Sequence, residues 1–126
     1  MIKMYEKNNP AAVKSANLAI KVVKLYRFLT EQKQEFIMSK QVLRSGTSIG
    51  ANVKESLYAQ SKADFLAKIN IALKEAAETE YWLELLLNTE YITREQFEYV
   101  NCETNEIIRI LLATVKTIKT KQQEKI

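Results

Sequence analysis

Arg44-Ser-Gly-Thr-Ser-Ile-Gly-Ala-Asn-Val-Lys-Glu55 contains both glycines of the chain, and its reading decides the fold. At about 100° per helical residue, Val42, Gly46, Ile49, Val53 and Leu57 fall on one face, while Arg44, Ser48, Asn52 and Glu55 line the opposite one. An interior glycine costs a helix about 1 kcal/mol relative to alanine, and Ser48 would serve as an N-cap if the helix broke there. Both glycines lie near the apolar face, however, where a missing side chain lets another backbone approach closely. One continuous helix over about Phe36 to Ala59 is therefore expected.

Outward from this segment the same period recurs three times. Asn8-Asn9-Pro10 supplies an N-cap at Asn9 and a proline at the first helical position, opening a helix that runs to about Thr30. Leu18, Val22, Leu25 and Leu29 form its inner line, and Ala12, Ala16, Ala19, Val23 and Tyr26 widen the apolar arc beyond that of an ordinary surface helix. Ser61-Lys-Ala-Asp64 resembles a capping box and starts a third helix at Lys62, ending near Asn88. Its core line is Phe65, Ile69, Ala72, Ala76, Leu83 and Leu86. Ile71, Trp82 and Leu85 point away from that line and are candidates for contact with another subunit. Thr93-Arg-Glu-Gln96 is a full capping box for a fourth helix through Phe97, Val100, Ile107, Ile108, Leu111, Leu112, Val115 and Ile118, fraying after Thr120. Connections this short force antiparallel neighbours, so the fold expected is all-α, an up-down-up-down four-helix bundle occupying residues 1–126 as one domain.

Composition agrees. With two Gly, one Pro and 47% apolar residues, the chain lacks the turn residues that a many-stranded β protein needs about every 8 to 12 positions. A lone Cys102 closes no intrachain disulfide, the first ten residues lack the apolar core of a signal peptide, and no apolar run approaches the roughly 20 residues that span a bilayer. A cytoplasmic protein without membrane contact is expected.

Charge is unevenly distributed. Residues 1–62 carry eleven Lys/Arg against four Glu, residues 63–106 three against ten acidic residues, and residues 107–126 five against one. Such polarity either steers anions to one side or pairs the basic edge of one copy with the acidic edge of the next. On the first reading, Lys14, Lys21, Lys24 and Arg27 on the first helix, with Lys116, Lys119, Lys121 and Lys125 near the C-terminus, would contact nucleic-acid phosphates with little regard for sequence. No aromatic residues interleave with these lysines as a base-stacking platform would require. On the second, the basic residues serve assembly and solubility, and the partner is another protein.

No enzyme is expected. The chain has no histidine, which removes the commonest general base and the Glu-x-x-His ligands of di-iron bundles. Gly46-x-x-x-Gly50 within a helix is not a phosphate-cradling loop, and the glutamates at 75, 78, 80 and 84 read as a solvated helix face. Neither metal nor cofactor is implied.

The stretch Gln41 to Glu55, followed by Ser61-Lys-Ala-Asp-Phe65 and a helix bearing Ala72 and Glu80, resembles the bacterial four-helix-bundle proteins encoded in intervening sequences of 23S ribosomal RNA genes. That family includes the accessory variability protein of diversity-generating retroelements. Its signature, approximately R-S-x-x-S-I-x-A-N-I-x-E-G, is matched by Arg44, Ser45, Ser48, Ile49, Ala51, Asn52 and Glu55. Val53 stands in place of Ile, Ser56 in place of Gly, and an arginine common shortly afterwards is missing. The resemblance implies a homo-oligomeric ring, typically pentameric, with a basic surface that in the retroelement branch binds RNA or DNA and a reverse transcriptase. The stripe of Arg44, Ser48, Asn52 and Glu55 then either satisfies groups within the bundle or lies at a subunit junction.

Overall fold

A computed structural model describes residues 9–124. Four helices follow in order: α1 (Pro10–Glu31), α2 (Met38–Ser56), α3 (Lys62–Asn88) and α4 (Arg94–Glu124). Each packs on two neighbours, α1 and α3 both lying against α2 and α4, so the four close an antiparallel bundle.

Local chemistry sets most of the boundaries. Asn9 Oδ1 accepts the amide of Ala12 at 3.1 Å, with Pro10 next in line, so α1 starts where its cap predicts. Ser61 Oγ accepts the Asp64 amide at 3.0 Å, but the Asp64 carboxylate reaches back to the amide of Gln60 at 3.2 Å rather than to Ser61. At Thr93 the box is reciprocal: Thr93 Oγ1 accepts the Gln96 amide at 3.1 Å and Gln96 Oε1 accepts the Thr93 amide at 2.8 Å. The end of α3 is a Schellman turn, with the Tyr91 amide on Leu86 O at 3.0 Å, the Glu90 amide on Leu87 O at 3.1 Å, and Glu90 in the left-handed region at φ 66°.

The second helix is shorter than its apolar pattern suggests, starting at Met38 and ending at Ser56. Its cap is the buried Glu35 carboxylate, which accepts the amides of Ile37, Met38 and Ser39 at 3.1, 3.0 and 2.7 Å. Phe36 and Ile37 are therefore pushed out of the helix and lie 55% and 78% exposed. At the far end, Leu57, Tyr58 and Ala59 turn back onto the carbonyls of Lys54, Glu55 and Ser56, closing α2 one turn early. In contrast, α4 continues past Thr120 to Glu124.

The core is built from the expected lines. Leu18, Val22, Leu29, Val42, Ile49, Leu83, Leu86, Ile107 and Leu111 are fully buried, whereas Leu112, expected to face inward, is 54% exposed because it sits one position off the inner line of α4. Both glycines stay inside a continuous α2. A Cβ at Gly46 would meet Val22 Cγ2 at 2.7 Å, and one at Gly50 would meet the Ser15 carbonyl oxygen at 3.4 Å. Close approach of α1 is what the small residues allow. Buried hydroxyls share the core: Ser45 and Thr79 are bonded across the α2/α3 seam at 2.9 Å, and Ser15, Ser39, Ser56 and Thr104 bond carbonyls one turn earlier in the chain.

Candidate nucleic-acid interface

The basic stripe of α1 divides into two pairs. Lys14 Nζ sits 2.8 Å from the Glu106 carboxylate of α4, and this contact raises the Lys14 pKa above, and lowers that of Glu106 below, their ordinary ranges. Lys21 is held at three points by α4. Its ammonium donates to the Tyr99 carbonyl oxygen at 3.0 Å, lies 4.1 Å from the centroid of the Tyr99 ring, and approaches Glu103 Oε1 at 3.5 Å. The other carboxylate oxygen of Glu103 is buried and accepts no hydrogen bond. Lys24 and Arg27, by contrast, are exposed. The α1 cations thus do not form one outward row: Lys14 and Lys21 bolt α1 to α4.

A second charged seam joins α2 to α3. Arg44 reaches Glu75 at 3.1 Å and makes a short contact with Glu78, whose carboxylate also accepts the Trp82 indole N–H at 3.0 Å. The hydrogen bond from Trp82, followed by that from Arg44, holds the Glu78 carboxyl below the usual carboxylate range. Further along, Glu55 pairs with Lys68 at 3.2 Å, while the Asn52 amide donates to Ser48 O at 2.9 Å and Ser48 Oγ at 3.1 Å. The polar stripe of Arg44, Ser48, Asn52 and Glu55 is thereby satisfied within the bundle, half by partners on α3 and half locally on α2.

These two seams change the meaning of the charge blocks. Lys14, Lys21 and Arg44 of α1 and α2 thus meet acidic residues of α3 and α4 inside a single chain, so part of the polarity that suggested pairing between copies is satisfied within the protomer. Ile71, Trp82 and Leu85 share a face of α3 with Glu75 and Glu78. Ile71 is exposed, Leu85 is half-buried, and Trp82 packs on the core with its ring edge-on to Tyr81 at 5.0 Å. Sequence spacing missed Tyr81 and Ile20, both more than half exposed.

The C-terminal lysines are arranged differently. With Lys14 opposite Glu106, the start of α1 at Pro10 lies level with residue 110, and the remaining stretch of α4 to Glu124 runs on for about 20 Å at 1.5 Å per residue. Lys116, Lys119 and Lys121 are exposed on this extension, and Lys125 lies outside the described residues. Antiparallel packing brings Lys54 from the end of α2 and Lys62 from the start of α3 to the same end of the bundle, a grouping that no single segment of sequence reveals. Among the described residues no cluster of His, Cys, Asp and Glu is placed to hold a metal ion, and no helix is long and apolar enough to cross a membrane.

The chain is an all-α bundle whose α1/α4 and α2/α3 seams carry ion pairs and whose α4 extension exposes Lys116, Lys119 and Lys121. The chain belongs to the 23S rRNA-intervening sequence protein family, whose description matches residues 7–113. It is similar to a crystal structure of a protein of unknown function from the S23 ribosomal protein family of Bacteroides thetaiotaomicron VPI-5482. The two share 58% identity at a TM-score of 0.83, over 84% of this chain and 98% of that one. No curated protein matches the chain.

Proposed function

We propose that this chain is a non-enzymatic, cytoplasmic, ring-forming accessory protein, pentameric as its family resemblance implies, that binds RNA or DNA with little sequence preference. The observation that carries the reading is the basic extension of α4, where Lys116, Lys119 and Lys121 stand exposed beyond the start of α1. Cations so grouped take phosphates by releasing condensed counterions, which gives affinity without base readout. In a ring the basic ends repeat, and weak contacts at each add as avidity. By resemblance to the retroelement branch, a reverse transcriptase is a further partner.

Binding of labelled RNA and DNA across a salt series tests the reading. Affinity should fall steeply with salt, with a slope of about −0.7 to −0.9 per phosphate contacted, and Lys116→Glu, Lys119→Glu and Lys121→Glu combined should abolish it. Absence of binding to any nucleic acid at low ionic strength overturns it. Light scattering on the eluting protein tests the ring, which a monomer at micromolar concentration rejects.

A second reading, an oligomeric scaffold that binds protein alone, draws on the engagement of Lys14 and Lys21 within the chain and on the exposed Ile20, Ile71, Tyr81 and Leu112. Here Ile71→Ser would alter oligomer mass while the lysine substitutions would change nothing.

A further inference from the structure

Lys21 and Tyr99 do more than join two helices. Between α1 and α4 runs a groove of about 180 Å³, floored by Leu25, Phe28 and Val100 and edged by Lys24, Gln96 and Tyr99. On α1 itself Tyr26 and Phe28 flank Arg27. Folding brings Tyr99 in from α4, and the residue remains 57% exposed although Lys21 lies 4.1 Å from its ring centroid. The ammonium is pinned by the Tyr99 carbonyl oxygen at 3.0 Å and by Glu103 at 3.5 Å, so the ring has a fixed neighbour and little rotamer freedom to lose on binding.

The rim is cationic. Lys24 edges the groove and Arg27 stands one turn further on the same helix, both exposed. Of the carboxylates on α4, Glu103 faces Lys21 and Glu98 pairs with Arg94 at 3.5 Å. Gln96 uses its oxygen to cap α4, which leaves its amide nitrogen to donate to a ligand edge. An apolar floor, an exposed aromatic ring, one amide donor and two cations at phosphate spacing along a helix are the parts of a slot for an unpaired base, since every base offers a π-face and its backbone a run of negative charge.

We infer that the α1/α4 groove takes one unpaired base of a single-stranded nucleic acid, stacked on Tyr99, with the flanking phosphates on Lys24 and Arg27. The inference rests on the nucleic-acid reading above and sharpens it, because a duplex keeps its bases stacked on one another and cannot fill the slot. The basic end would serve either form; the groove serves only single strands.

Fluorescence anisotropy on the full chain tests it with three probes: a short oligothymidylate, a short oligouridylate and a DNA hairpin duplex. Tyr99→Ser should weaken binding of both single strands roughly tenfold, the size of one lost stack, and leave the hairpin unchanged, while Tyr99→Phe should keep full affinity. Comparison of the two single strands distinguishes DNA from RNA as the source of the base. Hairpin binding by Tyr99→Ser also reports that the variant is folded, as does its circular dichroism. Unchanged single-strand affinity in folded Tyr99→Ser, or wild-type protein that binds the hairpin alone, overturns the groove while sparing the basic end. Wild-type protein that binds none of the probes overturns both.

Discussion

The ammonium of Lys21 on α1 rests 4.1 Å above the ring of Tyr99 on α4 and donates to the carbonyl oxygen of that same residue at 3.0 Å. One side chain therefore grips both the backbone and the ring of a residue 78 positions later. Lys21→Gln should destabilise the protein by about 1 to 3 kcal/mol, as one partly exposed ion pair, one cation–π contact and one charge-assisted hydrogen bond are lost together. A thermal melt of Lys21→Gln beside Lys24→Gln checks this, since Lys24 is exposed and its replacement should leave stability unchanged.

Gly46 and Gly50 should respond oppositely to alanine. At Gly46 the new methyl meets Val22 at 2.7 and 2.8 Å in a fully packed core, and overpacking of this kind costs about 1 to 3 kcal/mol, more than the propensity gained. At Gly50 the nearest atoms stand at 3.4 Å, an ordinary contact, so alanine should stabilise by up to about 1 kcal/mol. Urea denaturation of both variants gives the two signs.

Acid should loosen the α2/α3 seam. Trp82 and Arg44 hold the Glu78 carboxyl below its unfolded range, so the unfolded chain takes up this proton first. The stabilisation is complete above the ordinary carboxylate pKa and is lost as pH falls through the lower, folded value. Glu106, held down by Lys14, acts in the same direction. Glu78→Gln should therefore be less stable than wild type at neutral pH, with the gap closing as pH falls through the carboxylate range. A gap that stays constant with pH would remove Glu78 from the explanation.

Glu90 occupies the left-handed position of the Schellman turn with φ 66°, where glycine has no Cβ to strain. Glu90→Gly should stabilise the protein by up to about 1 kcal/mol through relief of the left-handed conformation, offset in part by the freer unfolded chain. The melting temperature of the variant decides the sign.

Much of the bundle was legible in the sequence because its signals are local. Asn9-Pro10, Ser61 with Asp64, and Thr93 with Gln96 announce three of the helix starts, since a cap acts within four residues. Leu18, Val22, Leu25 and Leu29 announce the buried face of α1 through periodicity alone. Where α2 begins was not legible, because its apolar pattern extends through Phe36 and Ile37 and the cap that excludes them is a glutamate at an unusual position. Leu112 misled for a related reason: it adjoins the buried Leu111, and apolar character alone does not tell the two apart.

The candidate site was less legible. Lys14, Lys21, Lys24 and Arg27 read as one basic stripe, yet only the packing of α4 tells which are held and which face outward. Lys54 and Lys62 carry no local signal that places them at the same end of the bundle as Lys116, because residues this distant are brought to one end only by antiparallel topology.

By itself the sequence determined four helices, their order, most of their ends and the line of residues each buries, since helix period and capping are settled within a turn or two of chain. Tertiary structure alone decided the destination of the charges. Arg44 meets Glu75 and Glu78 across the α2/α3 seam, Lys14 and Lys21 meet α4, and Tyr99 comes to stand among lysines of α1. A charge pairs with whatever lies within a few ångströms, and which residue that is depends on the register of packed helices.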